Sequence, residues 1–148
     1  MRRGLLLVVC FVVAACGSSG EKRLSKEDYA KQADAICTRY NHEAPSGLGA
    51  GKVTTKKVAD LADRTLPVLG RTIAQLRRLR PPKDEQELAD RWLSALDRLR
   101  RDAVEIRDAA RANDLGGVAA AVAPSQRDMR TFYSLGTQLG MTVCNKPS

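Results

Sequence analysis

Cysteine and histidine are the residue types here that could carry unusual chemistry, and both are rare. Cysteines occur at positions 10, 16, 37 and 144, and the single histidine is His42. A thiol can be acylated, form a disulfide or bind a metal, and a histidine can transfer protons or bind a metal. No further Cys or suitably spaced His completes a zinc site. We therefore predict no metal site and no cofactor, and we interpret His42 as a solvent-exposed loop residue.

Patterns typical of enzymes are also missing from the sequence. The chain lacks the Glu-x-x-His pattern of di-iron bundles, the glycine phosphate loop, H-E-x-x-H and G-x-S-x-G. Many carboxylates have Arg or Lys three or four positions away, as Asp97 has Arg101, which is typical of a solvated helix surface with weak ion pairs. We predict that the protein is not an enzyme and has no catalytic residues.

The first 15 residues have the organisation of an export signal. Two arginines follow Met1, and residues 4–15 carry no charge. The apolar stretch 5–15 is shorter than the roughly 20 residues that a membrane-spanning helix needs. A basic start, a short apolar segment and small residues are typical of a cleaved signal peptide, which predicts an exported chain.

The residues at the end of this segment indicate a particular class of signal peptide. Val13-Ala14-Ala15-Cys16 resembles the lipobox of bacterial lipoproteins, with Val at position 13 where that family most often has Leu. The resemblance implies that residues 1–15 are removed as a signal peptide and that the Cys16 sulfur receives a diacylglyceryl group. In that family the new amino group is often acylated too, and two or more acyl chains make membrane attachment stable. The alternative is an ordinary cleaved signal followed by a chance cysteine.

The lipobox resemblance also implies a location. Acylated Cys16 would bind membrane lipid, and the rest of the chain would lie on the extracytoplasmic face of the cell membrane. Residues 16–24 would form the lipidated cysteine and a flexible linker, because 17–20 are Gly and Ser only. The folded domain is then expected at 25–148.

This location determines what we expect of the remaining cysteines. Cys10 would leave with the signal peptide and Cys16 would be lipidated, so that Cys37 and Cys144 remain. Outside the cytoplasm such a pair usually forms a disulfide. The bridge would close a loop of about 100 residues and contribute about 4.7 kcal/mol in the chain-entropy model. The alternative is two free thiols or a metal-binding pair.

Composition favours a helical domain. Only 4% of the 148 residues are aromatic, and Ala, Leu, Arg and Asp dominate the rest, which favours helices over sheets. The whole chain has a formal net charge of +8, and residues 1–15 contain two arginines and no acidic residue. Their removal would leave 133 residues with a charge of +6. This length is enough for one domain with a core.

Four segments carry apolar residues at helical spacing. Helix one carries Cys37 on its buried face, and the double proline 81–82 is expected to stop helix two. Residues 141–144 are expected to form a short extended tail. The expected capping residues are Ser25, Thr54 or Thr55, Asp84 and Asp114 at the helix starts, and Asn113 and Gly140 at the helix ends.

The connections between these segments predict the fold. Short turns at 81–83 and 113–114 favour an all-α, antiparallel four-helix bundle. Pro67 and Pro124 lie inside helices two and four, where each is expected to cause a kink. Kinks at a similar depth would open a cavity for an apolar ligand, and the alternative is that they only follow the curvature of the domain. We interpret Trp92 as a core residue, with the lining of a ligand pocket as the alternative.

Basic residues gather at the end of helix two and in the turn after it, at Arg77, Arg78, Arg80 and Lys83. In an antiparallel bundle this turn lies at the same end as the linker to Cys16. Basic side chains near an anionic membrane contribute about 1 kcal/mol each, so we expect this end to face anionic headgroups. The alternative is a favourable helix-terminus charge and general solubility. Nucleic acid is not an expected partner, because the chain is exported and has few aromatic residues for base stacking.

The stretches ADAIC, LRRLRPP and LGMTVC resemble those of small exported bacterial lipoproteins with a disulfide-stapled helical domain. This resemblance supports the disulfide and implies no activity. Our first hypothesis is a non-catalytic, lipid-anchored module that binds or scaffolds an envelope protein or polymer. The alternative is a carrier of a small apolar or lipid ligand, held in a cavity between kinked helices.

Overall fold

The chain folds into a bundle of α-helices. The computed structural model describes residues 22–45 and 47–147, so the predicted signal peptide 1–15, Cys16 and linker residues 17–21 lie outside the described residues. Within the described ranges there are four α-helices and no strand, which confirms the predicted all-α fold. The helices are α1 (Lys26–Glu43), α2 (Thr55–Leu76), α3 (Gln86–Arg111) and α4 (Leu115–Gln138).

Most of the predicted helix ends are confirmed. The side chains of Ser25, Thr54 and Asp114 each accept a hydrogen bond from the backbone N–H three residues further on. Asn113 and Gly140 have positive φ angles of 57° and 81°. At both, the next residue's N–H donates to the carbonyl five residues back, which is the Schellman arrangement.

Two predictions around α3 and α2 are wrong. Asp84 does not cap α3; a 3-10 turn, Lys83–Glu85, comes first, and no described side chain caps the first turn of α3. The Glu85 N–H instead donates to the Pro82 carbonyl. Helix α2 ends at Leu76, before the double proline. After Leu76 the backbone tightens, because the N–H groups of Arg78 and Leu79 donate to carbonyls three residues back, so the α-helical pattern ends before the prolines are reached.

Helix α3 lies at the centre of the bundle. It packs along both α2 and α4, and fewer contacts join α1 to α2. One continuous core includes residues of all four helices and the C-terminal tail. Trp92 is 0% exposed and stacks on Phe132 with 5.3 Å between ring centroids, which confirms its interpretation as a core residue.

The predicted disulfide is confirmed. Cys37 in α1 is bonded to Cys144 in the tail, with their Cα atoms 5.6 Å apart, so neither thiol is free. The tail 141–144 is bent rather than extended, and it lies against α1. Among the described residues, no helix is both long and apolar enough to cross a membrane.

Candidate functional site

Asp34 holds the C-terminal tail against α1, next to the disulfide. One carboxylate oxygen accepts the backbone N–H of Thr142 at 2.7 Å and its hydroxyl at 2.9 Å. The other oxygen accepts the N–H groups of Val143 and Cys144, both at 2.9 Å. Three backbone donors that the tail could not satisfy within a helix are therefore satisfied by a single side chain.

The pKa of Asp34 reflects this arrangement. Burial raises the pKa of the carboxyl, but the hydrogen bonds from Cys144, Thr142 and Val143 outweigh it and lower the pKa below its usual 3.8. Asp34 therefore binds the tail as a carboxylate at neutral pH. The tail clamp, which we define as Asp34 together with the Cys37–Cys144 disulfide, joins α1 to residues 142–144.

An apolar cavity of about 240 Å³ lies between the helices, beside the tail clamp. All four helices and the tail contribute to its wall. Most of the lining side chains are aliphatic or aromatic. They include Leu69, Leu76, Leu96, Leu99, Met129 and Phe132.

The hydroxyl groups of the two threonines on this wall are satisfied within α2. Thr65 donates to the Leu61 carbonyl at 2.9 Å, and Thr72 donates to the Val68 carbonyl at 3.0 Å. Neither hydroxyl therefore demands a partner from a ligand, and the chemical character of the wall is more apolar than its composition suggests.

Polar groups lie at the rim of the cavity. Asn41 and Lys146 line it and are exposed to solvent, and Met129 is 39% exposed. Burial raises the pKa of both lining tyrosines, Tyr40 and Tyr133, so their hydroxyls stay neutral and can donate hydrogen bonds. The cavity thus has an apolar interior and a polar edge.

The two predicted helix interruptions are not among the residues that line this cavity. Pro67 lies inside α2 with its side chain exposed, and Pro124 lies inside α4, next to the lining residue Ser125. The helical assignment continues through both prolines. An interior proline lacks the N–H that would bond four residues back, so each proline removes one backbone hydrogen bond from its helix.

No protein-family model matches this chain, and no curated protein or solved structure is significantly similar to it.

The predicted basic cluster lies beside the start of α1, as the antiparallel arrangement required. The Leu24 N–H donates to the Arg80 carbonyl at 2.8 Å. The Arg23 guanidinium donates to the Pro81 carbonyl at 2.9 Å and to Gln86 at 2.8 Å. Arg78 and Lys83 are exposed at this end.

Acidic residues occupy the same end, which the sequence interpretation did not consider. Arg77 is paired with Asp97 of α3, and Lys26 is paired with Glu85. The cluster is therefore a mixture of charges rather than a purely basic surface. Its attraction for anionic headgroups is weaker than four unpaired basic residues would produce.

His42 is exposed as predicted, but the prediction that it lies in a loop is wrong, because α1 extends to Glu43 and His42 lies in its last turn. Within 22–45 and 47–147, no group of three or more His, Cys, Asp or Glu residues is placed to hold a metal ion. The prediction that the protein is not an enzyme stays a prediction.

Sequence reasoning missed two aspartates with special surroundings. Asp34 clamps the tail, and Asp102 is buried on α3 with its Oδ2 atom lacking a partner among the described residues. Burial, Asp128 and Glu105 raise the pKa of Asp102, against a smaller opposite effect of Arg101 and Arg98. Both looked like surface carboxylates in the sequence. The one available signal was that Asp34 lies three residues before Cys37, on the same side of a helix.

Proposed function

We propose that this protein is a membrane-anchored extracytoplasmic lipoprotein that holds a small apolar ligand between its helices. The observation that carries the proposal is the apolar cavity of about 240 Å³ beside the tail clamp. The cavity opens to solvent at its rim, so apolar atoms of its wall are in contact with water. An apolar ligand that covers them gains the free energy of removing this surface from water.

The size and lining of the cavity indicate the class of ligand. Its volume is somewhat below the roughly 300–1,000 Å³ of typical ligand pockets, so it suits a small apolar molecule or the end of one acyl chain. Asn41 and Lys146 at the rim suit a polar or anionic head that stays near water. A single-chain fatty acid combines both features.

The membrane anchor in this proposal rests on the sequence. Residues 1–15 as a signal peptide, Cys16 as the acylated residue and 16–24 as linker agree with the start of α1 at Lys26. With such an anchor the domain stays beside a membrane, which is a source of apolar ligands. The module for an unidentified envelope protein or polymer remains our other hypothesis, and no particular surface feature favours it over the carrier.

Binding of the fluorescent fatty acid cis-parinaric acid tests whether the cavity accepts a fatty acid. The core, the disulfide and the helix caps all lie within 22–147, so the oxidised domain 22–148 is suited to this assay. Trp92 is the single tryptophan and stacks on the lining residue Phe132. We expect energy transfer from Trp92 to the bound probe, with one probe bound per domain.

A matched pair of variants locates the bound probe. Ala103 lines the cavity, whereas Ala74 is exposed on α2. We expect Ala103→Leu to fill part of the cavity and weaken binding about tenfold or more, and Ala74→Leu to leave it unchanged. Equal binding by both variants and the wild type would show that the probe lies elsewhere.

A further inference from the structure

A second groove, which we call the polar groove, lies at the linker end of the bundle. It has a volume of about 470 Å³ and runs between α3 and the segment that follows α2. It is separate from the apolar cavity in its lining and in its chemistry. The polar side chains that line it are Tyr29, Arg77, Arg80, Gln86, Asp90, Ser94 and Asp97.

Tyr29 brings an unsatisfied polar group to the base of this groove. The residue is 1% exposed, and its hydroxyl has no hydrogen-bond partner among the described residues. Burial, and to a lesser extent the charge of Asp90, raises the pKa of this phenol to about 12. The hydroxyl is therefore a neutral donor near Asp90, and leaving such a group unpaired is unfavourable.

The charges around Tyr29 are of both signs. Arg77 is paired with Asp97, and Asp90 accepts a hydrogen bond of 3.0 Å from the Gln86 amide. Arginine suits a phosphate or carboxylate because its donors form a planar fork. Asp90 suits a cation that carries N–H donors. A purely anionic ligand would be repelled by Asp90 and Asp97, and a purely cationic one by the arginines.

We propose that the polar groove binds a small zwitterion that carries a phosphate monoester or diester and a primary ammonium. Arg77 would contact the phosphate, Asp90 the ammonium, and the Tyr29 hydroxyl would donate to a phosphate oxygen. Arg77 and Asp90 are exposed at the groove, and exposed side chains change rotamer within picoseconds to nanoseconds, so they can rearrange around a ligand.

Two sources have this chemistry, free phosphoethanolamine and the headgroup of phosphatidylethanolamine. The groove begins beside the Leu24–Arg80 hydrogen bond, where the described chain starts. Cys16 precedes Leu24 by eight residues, which span at most about 28 Å. The headgroup source therefore rests on the proposed acyl anchor, whereas the soluble source does not.

The zwitterion proposal is tested by titration calorimetry on the full chain, inserted into phosphatidylglycerol nanodiscs. The measured quantity is the affinity of soluble ligands for the groove. We expect phosphoethanolamine to bind at least about tenfold more tightly than methyl phosphate or ethanolamine, because each lacks one of the two charged groups. Phosphocholine should also bind more weakly, since its quaternary ammonium has no N–H for Asp90. Equal affinity for phosphoethanolamine and methyl phosphate would overturn the proposal.

Replacing phosphatidylglycerol by phosphatidylethanolamine in the discs distinguishes the two sources. If the lipid headgroup occupies the groove, the soluble probe binds more weakly in these discs. Unchanged binding would assign the groove to the free ligand. If the chain is not acylated and does not enter discs, the soluble probes measured in buffer still decide whether the groove binds the zwitterion.

Two conservative variants test the residues. We expect Tyr29→Phe to weaken phosphoethanolamine binding about tenfold, whereas Tyr40→Phe, in the apolar cavity, should have no effect. Asp90→Asn should abolish the preference for phosphoethanolamine over methyl phosphate, and Asp84→Asn, exposed at the same end, should preserve it. Wild-type affinity in Tyr29→Phe would contradict the role of the hydroxyl.

Discussion

The apolar cavity and the polar groove differ in how their polar groups are satisfied. In the cavity, the hydroxyls of Thr65 and Thr72 are bonded to carbonyls of their own helix. In the groove, the Tyr29 hydroxyl is buried and unpaired among the described residues. Because its hydroxyls are already bonded, the first site offers a ligand no hydrogen bond and favours an apolar one, whereas the second gains a hydrogen bond when a ligand supplies an acceptor.

The two sites also differ in their dependence on the tail. Val143 and Cys144 of the tail line the apolar cavity, and no tail residue is among those described as lining the polar groove. Breaking the tail clamp should therefore damage one site and spare the other.

The largest expected effect is that of removing the disulfide. In the double variant Cys37→Ser, Cys144→Ser we expect a loss of about 3–5 kcal/mol in the free energy of unfolding, measured by urea denaturation. Binding of cis-parinaric acid should fall, and binding of phosphoethanolamine should persist under conditions where the variant is folded. An equal loss at both sites would contradict the separation between them.

Asp34→Ala tests the other half of the tail clamp. We expect it to lower the free energy of unfolding by roughly 2–3 kcal/mol, because hydrogen bonds to a charged group are lost and tail N–H groups lose their acceptor. Cys37 and Cys144 should stay bonded in this variant, which mass spectrometry under oxidising conditions can verify. A loss no larger than that of Asp28→Ala, a carboxylate exposed on the same helix, would show that the hydrogen bonds contribute little.

The lowered pKa of Asp34 predicts acid sensitivity. Because the folded-state pKa is below the usual 3.8, the stabilisation is fully present above that value and is lost as the pH falls through the folded-state pKa. The difference in unfolding free energy between the wild type and Asp34→Ala should therefore be constant near neutrality and shrink below about pH 4. A difference that stays constant down to pH 2 would be inconsistent with this.

Asp102→Asn should change the free energy of unfolding in the opposite direction from Asp34→Ala. The raised pKa means that ionised Asp102 is unfavourable in the folded state, a cost that appears as the pH rises above the usual 3.8. We expect the variant to be more stable than the wild type by about 1 kcal/mol at pH 7, with the gain absent near pH 3. Thermal unfolding at the two pH values measures this, and destabilisation at pH 7 would indicate a hydrogen-bonded carboxylate.

The smallest effect is that of Tyr29→Phe on stability. Removing an unpaired buried hydroxyl should raise the free energy of unfolding by about 0.5–1 kcal/mol in the absence of ligand. The Tyr40→Phe control should change it by less than about 0.5 kcal/mol. Tyr29→Phe would then be more stable and bind phosphoethanolamine less well, a combination that a purely structural hydroxyl would not produce.

Local features of this fold and the Cys37–Cys144 disulfide could be predicted from the sequence, whereas the hydrogen bonds between distant residues could not. Ser25, Thr54 and Asp114 cap helices through bonds that span three residues, so their patterns are visible locally. The prediction that Asp84 caps α3 is wrong because a 3-10 turn follows the double proline and takes the place of a side-chain cap. Asp34 was missed because its partners lie 108 to 110 residues away.

The sites show the same limit. Pro67 and Pro124 are recognisable in the sequence as helix-interior prolines, but neither is among the residues that line the apolar cavity, whose wall comes from all four helices and the tail. The polar groove was hidden, because Tyr29 fits the apolar face of α1 and Asp90 and Asp97 resemble surface carboxylates. Only the fold brings them beside Arg77, whose charge had suggested a basic surface.

Native mass spectrometry of the protein purified from its own membranes detects the acyl anchor and the bound ligand in one experiment. We expect a diacylated or triacylated chain beginning at Cys16, with the Cys37–Cys144 disulfide intact and one noncovalent apolar molecule bound. Ala103→Leu should be purified without that molecule. A wild-type protein that is empty, and that also fails to bind cis-parinaric acid, would contradict the proposed function.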